Sequence, residues 1–218
     1  MVSIEQSVPH IQGPFRPQKP IVLASASPRR QALLTGLGIY FQVQASSISE
    51  PPPDPEVSAQ EYVRRMAELK ARAVAKQKAP AIILAADTVV VIGEDILGKP
   101  ESAPQALQML TRLNACTHHV LTGCCLMDLT AEPESIMTFA VCTQVTFSRH
   151  PVDVLTAYAH SGEPMGKAGA YAIQGVGAFL VSHIQGSYTN VVGLPLNETV
   201  TALQDMQAIT LKAENERT

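Results

Sequence analysis

The run from Ala81 to Ile92, AIILAADTVVVI, is apolar at every position except Asp87 and Thr88. Continuous apolar character over this length, with a β-branched second half, reads as a central strand covered on both faces. Gly93-Glu94-Asp95 turns the chain into Ile96-Leu97, and Lys99-Pro100 closes the hairpin. Further strands are expected at Ile21 to Ala24, Ile39 to Ala45, Val120 to Met127 and near Ala178 to Ile184. In one more strand, Met137, Phe139, Val141, Thr143, Val145 and Phe147 keep the period of two of a half-buried strand. Helices fall between them. Ser58 with Glu61 forms a capping box ahead of a stripe of Tyr62, Val63, Met66, Leu69 and Ala73, and Lys70 projects from within that stripe. Ser102 with Gln105 opens a second helix around Ala106, Leu107, Leu110 and Leu113. Pro151 starts a third, and a closing helix runs from about Pro195 to Ile209. Strands alternating with helices, plus an antiparallel hairpin, predict an α/β domain with a mixed β-sheet flanked by helices. That domain spans 21–210, after an irregular proline-containing extension at 1–20 and before a polar tail at 211–218.

Within the central strand, Asp87 is the residue with most to explain. A carboxylate among such neighbours is costly unless it is paired, hydrogen-bonded, bound to a cation or open to a pocket. A structural carboxylate bonded to nearby backbone is the competing reading. Thr88 faces the other way along a regular strand, although a bulge would bring both residues to one site.

A second anomaly lies in Ile21 to Gly38, IVLASASPRRQALLTGLG. Ser27 suits an N-cap and Pro28 the first helical position, so Arg29 and Arg30 fall in the first turn. That end of a helix already carries unpaired N–H groups and a partial positive charge, and two guanidinium groups call for an anion there. Phosphate is the natural candidate. Lys70 and Lys99 add two cations, each by itself equally explained as a solvated side chain. Together the four would hold a triphosphate, with Ser25 and Ser27 donating to its oxygens, while Glu50 and Asp87 would hold a divalent metal. Gln174, in the small-residue segment KAGAYAIQG, offers both a donor and an acceptor to a nucleobase edge.

Other classes of function are disfavoured. A net charge of −3 and a pI near 6.1 do not suit a long nucleic acid polymer. Walker A and G-x-G-x-x-G loops are absent, as is the G-x-S-x-G elbow of a serine hydrolase. His118-His119 have no cysteine or carboxylate at ligand spacing. The four cysteines form no C-x-x-C pair and are expected as reduced thiols. No apolar run reaches the ~18 residues of a membrane span, so a cytoplasmic protein with no membrane partner is expected.

In order along the chain, LASASPRRQALL (23–34), AADTVV (85–90), LGKP (97–100), KAGAYAIQG (167–175) and GSYTNVVGLPL (186–196) closely resemble motifs of the Maf family of nucleoside triphosphate pyrophosphatases. The resemblance covers about Ile21 to Met206. It implies a mixed α/β fold similar to that of inosine triphosphate pyrophosphatases. It further implies hydrolysis of nucleoside triphosphates to the monophosphate and pyrophosphate with Mg2+ or Mn2+, a cytoplasmic location and a homodimer. By the same resemblance Asp87 matches a proton acceptor, and Ser25, Arg30, Glu50, Lys70 and Lys99 match other site positions. Arg29, Thr88 and Gln174 match the branch acting on dTTP and UTP, whereas the branch similar to 7-methyl-GTP pyrophosphatases has an aromatic residue in place of Arg29. Ala172 stands where many relatives have glycine. Whether Asp87 is the base or a metal ligand stays open, and a nucleotide-sensing regulator of cell division is the alternative function.

Overall fold

The computed structural model describes residues 13–54, 56–76 and 80–212. Its main sheet has the order β3-β2-β4-β6-β7-β8, with β5 beside β4. The strands are β2 (Ile21–Leu23), β3 (Gln42–Val43), β4 (Ile82–Ile92), β5 (Asp95–Leu97), β6 (Thr117–Asp128), β7 (Ser135–Phe147) and β8 (Val181–Gln185). β2 pairs parallel with β3 and β4, and every other pairing in this sheet is antiparallel. The mixed sheet flanked by helices is therefore as the sequence predicts.

β4 is the central strand because both of its faces are covered. Ile82, Leu84 and Ala86 pack with Leu34 of α1 (Pro28–Gly36) and with Ala202 and Leu203 of α6 (Leu196–Asp205). Ile83 and Ala85 pack on the other side with Ala67, Ala71 and Val74 of α2 (Ala59–Ala75). At the far end, α3 (Ala103–Leu113) and α4 (Val152–Ala159) enclose a third apolar cluster around Leu110, Val145 and Leu155. A short helix, α5 (Tyr188–Val192), is fastened to the sheet by Asn190, whose Nδ2 donates to Val120 O at 3.0 Å and Thr143 Oγ1 at 2.9 Å.

α2 lies unusually close to the sheet at one point. A Cβ on Gly123 of β6 would stand 2.3 Å from the Val63 carbonyl, so only glycine admits the helix there. Gly123 is the cross-strand partner of Asp87, and Lys70 is seven residues beyond Val63 on the same helical face. The close approach thus brings Lys70 over Asp87.

Several local expectations are corrected. β3 covers two residues rather than Ile39 to Ala45, since its sole neighbour in the sheet, β2, offers three. Leu69 is 44% exposed; the buried stripe of α2 runs instead through Tyr62, Val63, Met66, Ala67, Lys70, Ala71 and Val74. The segment expected as a strand from Ala178 is a 3-10 turn to Leu180 before β8 begins. α6 stops at Asp205, and Ile209–Leu211 form β9, antiparallel to β1 at Phe15–Pro17. The extension read over 1–20 therefore includes a strand of the fold, further tied down by Lys19 Nζ, 2.7 Å from Asp128 Oδ2. Residues 1–12 of that extension and 213–218 of the tail lie outside the described residues.

Candidate active site

β2 leaves β4 after Leu84, and β5 joins the same strand only at Val90. Between these points that edge of β4 has no strand partner among the described residues, and a cavity of about 590 Å³ opens there. Asp87 points to the α2 side and Thr88 to the α1 and α5 side, yet both line this cavity. The bulge anticipated as a way to unite them is absent, for β4 keeps unbroken register with β6 from Ile82 to Val91. A missing neighbour at the edge does the work instead.

On the α2 side, Asp87 is 4% exposed and its Oδ1 accepts from Lys70 Nζ at 2.5 Å. The same ammonium stands 2.8 Å from Glu50 Oε1, and Lys99 Nζ approaches that oxygen at 3.5 Å. Burial by itself would raise the Glu50 carboxyl, but the hydrogen bond and charge of Lys70, with the charge of Lys99, hold it below the usual carboxylate range.

On the other side, Arg30 is a three-way anchor. Its Nε donates to Gly193 O at 2.7 Å, Nη1 to Ser25 Oγ at 3.1 Å and Nη2 to Thr88 Oγ1 at 3.0 Å. Arg29 Nε donates to Val192 O at 3.3 Å. The two arginines at the start of α1 thus meet carbonyls at the C-terminal end of α5, where a helix leaves its acceptors unpaired. Burial pulls the Arg30 pKa down, with Asp87 opposing it. Ser27 occupies the N-cap position with extended backbone, but its side chain makes no capping hydrogen bond. Its N–H instead donates to Ser25 Oγ at 3.2 Å.

All of the side chains expected at the site line this one cavity: Ser25, Ser27, Arg29, Arg30, Glu50, Lys70, Asp87, Thr88, Lys99 and Gln174. The match of the chain to known proteins agrees in extent. The model of the Maf-like protein family matches residues 20–206. The chain belongs to the Maf-like protein family. Among its curated relatives, the dTTP/UTP pyrophosphatase of Nitratidesulfovibrio vulgaris is 49% identical over 90% of this chain and 92% of that protein. The dTTP/UTP pyrophosphatase of Myxococcus xanthus is 50% identical over 84% of this chain and 91% of its own. A solved nucleoside-triphosphatase / dITP/XTP pyrophosphatase from Mycobacterium abscessus covers 86% of this chain and 96% of its own at 16% identity, with a TM-score of 0.43.

In this Maf-like protein the cavity also takes in side chains that the sequence did not single out. Tyr171 lines it, its hydroxyl 3.0 Å from Nε2 of the buried His118. His118 is therefore a core residue, in line with its lack of ligand spacing. Lys167 lines it too. Alanine fits at position 172 because its backbone φ is not positive, and its N–H donates to Tyr158 Oη at 3.2 Å. Lys167 and Tyr171 flank one short turn in the segment KAGAYAIQG, whose small residues drew notice to Gln174 and not to them.

Proposed function

We propose that this protein hydrolyses nucleoside triphosphates, dTTP and UTP foremost, to the nucleoside monophosphate and pyrophosphate. The observation that carries this reading is the division of one cavity into a buried carboxylate with its lysine and a separate wall of guanidinium groups. A triphosphate needs both. Arg30, Lys70 and Lys99 are the groups that bind phosphate oxygens, with Ser25 and Ser27 as neutral donors. Arg29, Thr88 and Gln174 select the base, which suits the dTTP/UTP names of the relatives.

The residues present fit a divalent cation of the Mg2+ or Mn2+ kind. Glu50 and Asp87 present oxygen donors about one ammonium, and no cluster of three or more His, Cys, Asp or Glu side chains among the described residues could form a closed metal cage. Two carboxylates completed by substrate phosphates is the common pattern for Mg2+. Bound there, the cation would neutralise charge on the phosphate oxygens.

Asp87 takes a proton from water as the water oxygen bonds to the α-phosphorus. The bond from that phosphorus to the bridging oxygen breaks, and pyrophosphate leaves with the electron pair. Lys70 orients Asp87 through their hydrogen bond. A pure nucleotide sensor has no use for a carboxylate of this kind, which favours the enzyme over the regulator. The family resemblance adds a homodimer and a cytoplasmic location to the proposal; no helix among the described residues is long and apolar enough to cross a membrane.

The deciding experiment measures pyrophosphate release from dTTP, UTP, dCTP, dATP, GTP, inosine triphosphate and 7-methyl-GTP, with Mg2+ and with chelator. Metal-dependent release with preference for dTTP and UTP is expected. Binding without turnover of any nucleotide would overturn the enzymatic reading, and preference for a purine would overturn the base assignment.

A further inference from the structure

We infer that Glu163 is the positioning residue for base selection, holding the loop that presents Gln174 to the cavity. Glu163 lies between α4 and the cavity-lining segment, outside the cavity itself. Its Oε1 accepts from the Val176 N–H at 2.8 Å. Its Oε2 accepts from the Gly177 N–H at 2.8 Å and from the Tyr158 hydroxyl at 2.7 Å. That hydroxyl in turn accepts from the Ala172 N–H. The backbone is therefore gripped at Ala172 on one side of Gln174 and at Val176 and Gly177 on the other. Gln174 is itself exposed, so nothing in the core would otherwise fix where its amide points.

The carboxylate has a fixed seat. Ser161 Oγ accepts from the Glu163 N–H at 3.3 Å, and Lys167 Nζ donates to the Glu163 carbonyl. Gly175, with φ +151°, passes directly against it, and a Cβ there would stand 2.3 Å from Oε1. These charge-assisted bonds keep the acid ionised, outweighing the effect of its burial. Its charge also acts on Arg29, opposing the fall in pKa that burial imposes there. One carboxylate outside the cavity thus fixes the loop of Gln174 and lies within electrostatic reach of Arg29. The link to base choice rests on the proposed function, whereas the restraint of the loop does not.

Two measurements on Glu163→Gln and Tyr158→Phe keep the two apart. Hydrogen exchange on the free protein reads the restraint: the Val176 and Gly177 amides should exchange at least ~10-fold faster in Glu163→Gln, since each loses an ionised acceptor. Steady-state kinetics with dTTP and dATP reads the selection. The ratio of their kcat/KM values should fall at least ~10-fold in Glu163→Gln, mainly through KM for dTTP, with a smaller fall in Tyr158→Phe. Gly175→Ala, which displaces the carboxylate without removing it, should reproduce both effects. Unchanged exchange at Val176 and Gly177 would overturn the positioning role. Faster exchange with an unchanged ratio would overturn its connection to base choice, as would an equal loss of kcat/KM for both nucleotides. A wild-type enzyme with no pyrimidine preference would instead defeat the base assignment, and exchange would still decide the restraint.

Discussion

Lys70 Nζ lies 2.5 Å from Asp87 Oδ1, and both side chains are buried, at 8% and 4% exposure for the two residues. The pair joins α2 to the central strand through the wall of the cavity. The ammonium gives the buried carboxylate the partner that its burial requires, and ties it to the helix that Gly123 admits.

Removing one partner should expose that dependence. Lys70→Met leaves the Asp87 charge buried without its cation, a change that typically costs about 3–5 kcal/mol. Urea unfolding at pH 7 measures it; a loss below about 1 kcal/mol would mean that water in the cavity solvates Asp87 unaided.

Asp87→Asn keeps the shape and removes the proposed base. Turnover of dTTP should fall at least ~100-fold with nucleotide affinity nearly unchanged. Near-normal turnover in that variant would remove Asp87 from the chemistry.

Arg30→Lys tests geometry rather than charge. A single ammonium cannot reach Ser25, Thr88 and Gly193 together as the guanidinium does. At least ~10-fold lower kcat/KM is expected, with pyrophosphate release as readout.

Gly123→Ala would set a methyl carbon against the Val63 carbonyl, where backbone cannot step aside as a side chain could. A stability loss of about 3 kcal/mol or more is expected. Thermal unfolding measures this, and turnover should fall in parallel because Lys70 moves away with α2.

His118 provides a pH dependence. Burial pushes its pKa down from 6.5 to about 4, so the unfolded chain binds a proton that the folded one refuses. Stability is then unaffected above pH 6.5 and declines as pH falls toward 4. At pH 5 the decline from this group is about 2 kcal/mol. Comparing urea unfolding of wild type and His118→Gln at pH 7 and pH 5 isolates it; equal slopes in the two proteins would contradict the assignment.

Much of the site was legible because its residues violate local rules. Asp87 interrupts an apolar strand, and Arg29 and Arg30 stand where a helix start favours acids. Both anomalies demand partners, and both found them. Glu163 and Tyr158 break no local rule, so nothing in their own segments marked them, and Tyr171 sits in a segment noted only for Gln174 and its small residues. The strand at Phe15–Pro17 was missed for a related reason: three residues pairing with Ile209–Leu211 across almost the whole chain leave no local periodicity.

The amino-acid sequence determined by itself that β4 is central, that α2 and α3 begin at Ser58 and Ser102, and that Asp87 and the two arginines of α1 call for partners. Periodicity, caps and burial cost are local properties, and they survive in any compact fold. Tertiary structure alone decided how Asp87 and Thr88, on opposite faces of one regular strand, serve the same cavity. The answer is the unpaired edge of β4 between Leu84 and Val90, which depends on where two other strands end. It also decided that the arginines of α1 rest on the carbonyls of Val192 and Gly193, because that requires α5 to be pinned to the sheet by Asn190.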